Sequence, residues 1–197
     1  MGFLKNRATG AFIEVRVVRD IAIADVERAE SSWRPERNRL SGERRDRGRV
    51  PEHAHWDWSN KINPAWAAQW RFVAIASDDQ IEGMMAVRTK PRAGRLSPKM
   101  DSVLFVDFVE VAPWNSRDLT ETPRYSGVGT LLVTEAVRIS VELGLKGRIG
   151  LSALPQATGF YSRLGMILVE SGDPEYGDLA YFEFDEPGSA RLLAISE

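Results

Sequence analysis

The stretch RYSGVG, from Arg124 to Gly129, places two glycines and a serine directly before the apolar run TLLVTEAVRISVELG. The run has helical spacing, so the small residues lie at a helix entrance. The first amides of a helix have no partner inside the helix, and the helix dipole adds about half a positive charge there. Glycine lets a ligand approach these amides closely, and Arg124 can add a charge-assisted contact. The pattern therefore indicates a phosphate-binding turn.

A second interpretation of the same residues is a tight strand-to-helix turn that needs glycine only for its backbone angles. Two other phosphate motifs do not fit. A P-loop requires Gly-Lys-Ser/Thr where this chain has Gly129-Thr130-Leu131, and the dinucleotide fingerprint requires a third glycine where this chain has Leu132. Taken alone, the residues leave phosphate binding and a structural turn open.

The elements that must position this turn form a mixed α/β pattern. We predict a first strand over Phe12–Arg19, a helix that breaks near Pro35, and a hairpin in WRFVAIASDDQIEGMMAVRTK. The apolar stretch SVLFVDFVEVAP predicts a buried central strand that Pro113 ends. The helix after RYSGVG follows, then the strand GRIGLSAL, the short helix PQATGFYSRLG and a final hairpin of MILVE with AYFEFD. With 197 residues, 43% of them hydrophobic, we expect a single domain over residues 1–197.

Three of these motifs resemble those of the GNAT superfamily of N-acetyltransferases. RYSGVG is similar to the family's Arg/Gln-x-x-Gly-x-Gly/Ala motif, which joins the fourth strand to the third helix and binds the pyrophosphate of acetyl-coenzyme A. VEVAP resembles the splayed fourth strand, and FYSRLGM resembles the Tyr-x-x-x-Gly-Phe signature. The match runs from Trp70 to Asp185. The resemblance implies an α/β (α+β) fold of the GNAT-like acyl-CoA N-acyltransferase type, with a mixed central sheet flanked by helices.

The resemblance also implies where acetyl-CoA binds as co-substrate. Main-chain groups of the central strand are expected to pair with the pantetheine arm, and the amides of the turn are expected to face the pyrophosphate. The implied coenzyme-binding residues are Val109, Val111, Arg124, Tyr125, Ser126, Gly127, Val128, Gly129 and Thr130. The resemblance implies no metal.

Acetyl transfer to an amine requires a base, because an ammonium has no lone pair, and it benefits from a proton donor for the departing thiolate. In the family a tyrosine of the fourth helix donates this proton, and Tyr161 occupies the matching position; the alternative is a packed aromatic beside Phe160. The central strand carries Asp107 and Glu110 on opposite faces. Either could be the base, directly or through water, or a structural partner of an arginine. The absence of cysteine favours direct transfer in a ternary complex.

Two departures from the family pattern concern the surroundings of the site. Many members have an asparagine seven residues before the tyrosine, where this chain has Leu154. The segment WNSRDLTETP lengthens the loop before the turn. Its residues Trp114 and Asn115 are candidates for substrate contact, with a surface turn as the alternative.

Three further patterns have weaker functional interpretations. His53 and His55 lack a third metal ligand at a convincing spacing, so an exposed loop is favoured. The segment of residues 56–70 holds four of the six tryptophans and either lines an acceptor pocket or packs on the sheet. The stretch Arg34–Arg49 is rich in arginine and either meets nucleic acid or forms a solvated charged face, which is favoured.

The composition limits the partners. The net charge of −2 argues against heavy reliance on phosphate contacts, and no segment is long and apolar enough to span a bilayer. Together with these limits, the resemblance implies a cytoplasmic N-acetyltransferase that acts on a primary amine of a small molecule or a protein, with a homodimer left open. The alternatives are a non-catalytic acyl-CoA sensor or interaction module, and a GNAT toxin that acetylates aminoacyl-tRNA.

Overall fold

The structure of the protein is a computed structural model that describes residues 2–45, 55–62, 68–78, 80–97, 99 and 101–196. Its strands are β1 (Gly2–Asn6), β2 (Phe12–Arg19), β3 (Trp70–Ala76), β4 (Ile81–Arg88), β5 (Arg92–Ala93), β6 (Ser102–Val111), β7 (Tyr125–Ser126), β8 (Ile149–Ala153), β9 (Ile167–Asp173) and β10 (Leu179–Phe184). Its helices are α1 (Ile23–Arg45), α2 (Trp58–Lys61), α3 (Val128–Glu142), α4 (Thr158–Leu164) and α5 (Glu186–Ile195).

The strands form a 10-stranded sheet in the order β7-β1-β2-β3-β4-β6-β8-β10-β9, and β5 pairs with β6 outside this path. The sheet is mixed, because β6 and β8 run parallel whereas β1 with β2 and β9 with β10 are antiparallel. Strand β6 lies between β4 and β8, and its residues Val103–Val106 are at most 3% exposed. The predicted mixed sheet and buried central strand are therefore confirmed.

The chain divides into two compact units, Met1–Met85 with Val109–Gly129 and Ala86–Phe108 with Thr130–Glu197. The core of the first unit includes the buried side chains of Leu4, Val15, Val26, Trp33 and Trp58. The core of the second includes those of Leu104, Leu132, Val137, Ile149 and Phe182. The single domain over residues 1–197 stays a prediction.

The predicted break near Pro35 is wrong, because α1 continues through it to Arg45. Pro35 is exposed, so the helical bond that proline cannot make is missing on the solvent side. The opposite face is packed along its whole length. Its buried residues lie on one side of the helix: Val26, Ala29, Glu30, Trp33, Arg37, Leu40, Ser41 and Arg44. Tertiary packing of this face outweighs the local cost of the proline.

Helices α3 and α4 are each followed by a glycine in the left-handed conformation. Gly144, just after α3, has φ 74°, and Gly165, just after α4, has φ 91°, both in the left-handed region that favours glycine. The terminal elements β1 and α5 have no counterpart in the sequence pattern, since β1 is only five residues long and α5 contains a proline and a glycine. None of the helices in the described parts of the chain is long and apolar enough to cross a membrane.

The exposed proline inside α1 leads to a stability prediction. We expect Pro35→Ala to raise the free energy of unfolding by about 1–3 kcal/mol, because it restores a helical hydrogen bond and removes a ring clash. Urea denaturation measures the change, with Asn38→Ala, at another exposed position of α1, as the control for helix propensity alone. A gain no larger than that of the control would show that α1 does not continue through position 35.

Candidate active site

The turn before α3 has the backbone geometry that the sequence predicts. Gly127 has φ 100°, and α3 begins at the next residue, Val128. A side chain at position 127 would strain this left-handed backbone. The amides of Val128 and Gly129, followed by that of Thr130, belong to the first helical turn, where amides lack intrahelical acceptors. The arrangement offers several main-chain donors and the positive end of the helix dipole to an anion.

Ser126 and Tyr125 form β7, which pairs with β1. Lys5 lies opposite Ser126, and the amide of Arg7 donates to the carbonyl of Arg124 at 3.0 Å. The alternation of an antiparallel ladder therefore directs the amide of Ser126 towards Lys5 rather than towards a ligand. The hydroxyl of Ser126 remains as the group that could reach an anion beside the first turn of α3.

The loop insertion before the turn is more buried than a surface turn. Asn115 is 6% exposed, so the surface-turn alternative is wrong for this residue. The side-chain amide of Asn115 and the indole of Trp114 each donate to the carboxylate of Glu82 at 2.8 Å. Substrate contact by Trp114 or Asn115 stays a prediction.

Glu110 lies in a buried polar cluster of the first unit. It is 5% exposed, and its two oxygens accept from the indole nitrogen of Trp58 at 2.6 Å and from Nε of Arg37 at 3.1 Å. Burial raises the pKa of Glu110 to about 7, although Arg37 and the Trp58 hydrogen bond act in the opposite direction. A carboxylate with a pKa of about 7 can both accept and release a proton near neutral pH.

Helices α1 and α2 supply the partners that hold Glu110. The guanidinium of Arg37, 1% exposed, also donates to Glu30 at 3.0 Å and to the carbonyl of Trp56 at 2.8 Å. Glu30 in turn accepts from the main-chain amide of Trp58 at 3.2 Å. Glu30 and Arg37 were not predicted as site residues. Their signal in the sequence was helical spacing that places them on the same face of α1 as Val26, Trp33 and Leu40.

The side chain of Lys61 lies beside the same cluster, over two tryptophan rings. Its Nζ lies 4.7 Å from the ring centre of Trp56 and 5.5 Å from that of Trp58. Burial lowers the pKa of Lys61, and the neighbouring carboxylates oppose the shift.

The tryptophan-rich segment was predicted either to line an acceptor pocket or to pack on the sheet. Packing describes Trp58, which is fully buried. Trp66 lies outside the described residues.

Asp107, the other candidate base, belongs to the second unit. Its carboxylate pairs with Arg88: Nη2 donates to Oδ1 at 3.1 Å, and Nε lies 2.7 Å from Oδ2. Both strand carboxylates therefore have an arginine partner, as the structural alternative proposed. Glu110 also has a pKa of about 7.

The direction in which successive main-chain amides point does not alternate regularly between Leu104, in β6, and Ala112, just after it. The amide of Leu104 donates to the carbonyl of Arg148 on the β8 side at 3.1 Å, and the amide of Ala112 donates to the carbonyl of Glu82 on β4 at 2.9 Å. In a regular strand, residues an even number apart direct their amides to the same edge. Leu104 and Ala112 direct theirs to opposite neighbours, so the alternation changes phase between them, as in a β-bulge.

Val109 and Val111 lie beyond the ladder between β6 and β8. The last paired residues of that ladder are Val106 and Leu151. Val109 and Val111 follow on the part of β6 that is only half-buried. Their pairing with a pantetheine arm stays a prediction.

Tyr161 lies on α4 in the second unit. Its ring packs edge-on against Phe160 with centroids 5.0 Å apart and lies 6.0 Å from Phe182. The residue is 7% exposed, and burial raises the pKa of its hydroxyl, which is therefore protonated at neutral pH. Among the described residues, none forms a hydrogen bond with this hydroxyl.

No family model matches the sequence, and no curated protein matches it. Several solved structures are similar to this chain. An acetyltransferase of the GNAT family from Desulfovibrio desulfuricans has a TM-score of 0.55 at 17% identity, with 88% of this chain and 99% of that chain covered. The PaiA N-acetyltransferase from Thermoplasma acidophilum in complex with coenzyme A has a TM-score of 0.51 at 15% identity, with 87% and 98% covered. A mutant AtaT toxin bound to the C-terminus of the antitoxin AtaR and acetyl-CoA has a TM-score of 0.53 at 16% identity, with 92% and 99% covered.

The chain has the GNAT fold. The predicted fold class is thereby confirmed, and the resemblance to GNAT proteins extends to their fold. At these identities the likeness concerns the fold alone, and the chemistry depends on the residues of this chain.

In the described part of the arginine-rich stretch, which ends at Arg45, most arginines are paired or buried. Arg37 and Arg44 are buried, and Arg39 pairs with Glu36 and Glu43. Arg47, Arg49 and His53 lie outside the described residues.

Among the described residues, no group of three or more His, Cys, Asp or Glu side chains could hold a metal.

The buried Glu110 leads to a pH prediction. Its pKa is raised from 4.5 to about 7, so between these values the folded state keeps a proton that the unfolded state has lost. The free energy of unfolding should therefore fall as pH rises through this window. We expect Glu110→Gln to remove this part of the slope, and Trp58→Phe to extend the window upward by removing a donor to the carboxylate. Urea denaturation at a series of pH values tests both; parallel curves for wild type and Glu110→Gln would contradict the assignment.

Proposed function

We propose that the protein is an acetyl-CoA-dependent N-acetyltransferase that transfers the acetyl group to a primary amine by direct attack in a ternary complex. The observation that carries the proposal is the turn at Gly127, with φ 100° and the first-turn amides of α3 directly after it, on a GNAT fold. Coenzyme A and acetyl-CoA in the named complexes of similar structures support the choice of co-substrate.

In this proposal the coenzyme is bound chiefly by main-chain groups. The amides of Val128, Gly129 and Thr130 donate to the diphosphate, and the hydroxyl of Ser126 and the guanidinium of Arg124 lie beside it. Val109 and Val111, beyond the end of the β6–β8 ladder, pair with the pantetheine arm as an added strand would. No metal is required, because the dipole and the amides supply the positive potential.

The chemistry assigns one proton acceptor and one proton donor. Glu110 accepts a proton from the ammonium, directly or through water, and its pKa of about 7 suits this task. The free amine attacks the thioester carbonyl, the C–N bond forms, and the C–S bond breaks. Tyr161, protonated at neutral pH, donates to the departing thiolate. Burial raises the pKa of its hydroxyl and weakens it as an acid, so this donation depends on close approach of the two groups. The nitrogen then loses its second proton to solvent, from which the tyrosine regains the proton that it gives to the thiolate. Asp107 is the alternative base.

The acceptor is proposed to be an amine of a small molecule or a protein. Aminoacyl-tRNA, the alternative acceptor, would need basic side chains that are available to phosphate. In the described part of the arginine-rich stretch, Arg34, Arg37 and Arg39 each pair with a carboxylate. This pairing favours the first class of acceptor.

Coenzyme binding can be tested with two matched glycines. Gly127→Ala and Gly144→Ala each place a side chain on left-handed backbone, at the two ends of α3, and the new Cβ meets nothing closer than 3.6 Å in either case. Both should lower the free energy of unfolding by about 1–2 kcal/mol through backbone strain. Only Gly127→Ala should weaken coenzyme A binding, by about tenfold or more, in calorimetric titrations. Equal affinities for the two variants would contradict the proposed turn.

The catalytic roles can be tested by thiol release from acetyl-CoA with a panel of primary amines and lysine peptides. We expect Tyr161→Phe and Glu110→Gln to lower kcat by about 10²- to 10⁴-fold with little change in coenzyme affinity. Asp107→Asn, on the same strand, is the matched control and should retain activity. If Asp107→Asn lost activity and Glu110→Gln retained it, Asp107 rather than Glu110 would be the base. An unchanged kcat in Tyr161→Phe would show that Tyr161 is not the proton donor.

A further inference from the structure

The segment between β6 and β7, residues 112–124, is anchored to β4 where it begins. The amide of Ala112 donates to the main-chain carbonyl of Glu82 at 2.9 Å. The side chains of Trp114 and Asn115 then donate to the carboxylate of the same Glu82, each at 2.8 Å. One residue of β4 therefore determines where the connecting segment starts.

Glu82 requires these donors because it is fully buried. Its second carboxylate oxygen accepts from the hydroxyl of Ser77 at 2.8 Å. A carboxylate removed from water is costly unless hydrogen bonds replace its hydration, so losing a donor is strongly disfavoured. The side chains of Trp114, Asn115 and Ser77 are consequently held in fixed positions around it.

The same two residues of the connecting segment also bind the entrance of the turn. The side-chain oxygen of Asn115 accepts from the main-chain amide of Tyr125 at 3.0 Å. The carbonyl of Trp114 accepts from the main-chain amide of Arg124 at 2.9 Å. A single amide side chain, that of Asn115, thus joins the buried carboxylate of β4 to the backbone just before Gly127.

Helix α1 supports the middle of the connecting segment. Arg44, 8% exposed, donates to the main-chain carbonyl of Leu119 at 3.2 Å and to that of Arg117 at 3.4 Å. The arginine counted in the sequence as part of a basic patch therefore supports this segment. The segment is hydrogen-bonded at its start, middle and end. These bonds restrict its motion and therefore that of the turn that follows it.

We propose that Asn115 is a positioning residue for the coenzyme-binding turn, with Glu82 as its anchor. The main-chain donors at the start of α3 have no side chain of their own to orient them. Their direction depends on the backbone that enters Gly127, and Asn115 fixes that backbone. The identity of the ligand rests on the proposed function, whereas the fixing of the turn does not.

The test compares Asn115→Ala with Ser77→Ala. Each removes one donor from the carboxylate of Glu82, but only Asn115 also binds the turn. Hydrogen exchange of the ligand-free protein, read at the amide of Tyr125, should be at least about tenfold faster in Asn115→Ala and unchanged in Ser77→Ala. The Kd for coenzyme A should rise by about tenfold in Asn115→Ala alone.

The outcomes separate the two proposals. Unchanged exchange at Tyr125 in Asn115→Ala, or faster exchange with an unchanged Kd for coenzyme A, overturns the positioning role. Faster exchange in a protein whose wild type binds no coenzyme A overturns the proposed function and leaves the fixed turn standing. If Asn115→Ala does not fold, the wild-type protein decides the question: slow exchange at the Tyr125 amide, like that of amides inside β-strands, supports the role, and exchange as fast as in an unstructured peptide overturns it.

Discussion

Main-chain donors can bind an anion only if the backbone that carries them is fixed, and this constraint organises the first unit of the protein. The donors at the start of α3 belong to consecutive amides, and Gly127 sets their direction with φ 100°. The pairing of β7 with β1 and the bonds from Asn115 and Trp114 hold the approach to that glycine. A phosphate site of this kind depends on the rigidity of its neighbours more than on its own side chains.

A second constraint is the burial of charge beneath α1 and α2. Glu110, Arg37 and Glu30 are each at most 5% exposed and are bonded to one another in series. Such a cluster is costly to form and costly to disrupt, because removing any member leaves a buried charge without its partner. The same burial that makes the cluster expensive raises the pKa of Glu110 to about 7 and so gives a structural carboxylate the properties of a base.

Local patterns predicted much of the fold. The turn at Gly127, the helix stops at Gly144 and Gly165, and the central strand follow from residue types and their immediate spacing, which the sequence displays directly. The break at Pro35 was wrong because the buried face of α1, which the local pattern does not weigh, holds the helix together. Partners of the site residues were the least predictable part. Arg37 and Glu110 are 73 positions apart, so their contact depends on the whole fold.

If the first amides of α3 bind the diphosphate of the coenzyme, a ligand without that group should bind much more weakly. Calorimetric titrations can compare coenzyme A with pantetheine, which has the same thiol arm but lacks the diphosphate and the adenosine 3′-phosphate. We expect a clear heat of binding for coenzyme A and an affinity at least about 100-fold weaker for pantetheine. Equal affinities, or no detectable heat with coenzyme A, would show that these amides do not bind the diphosphate.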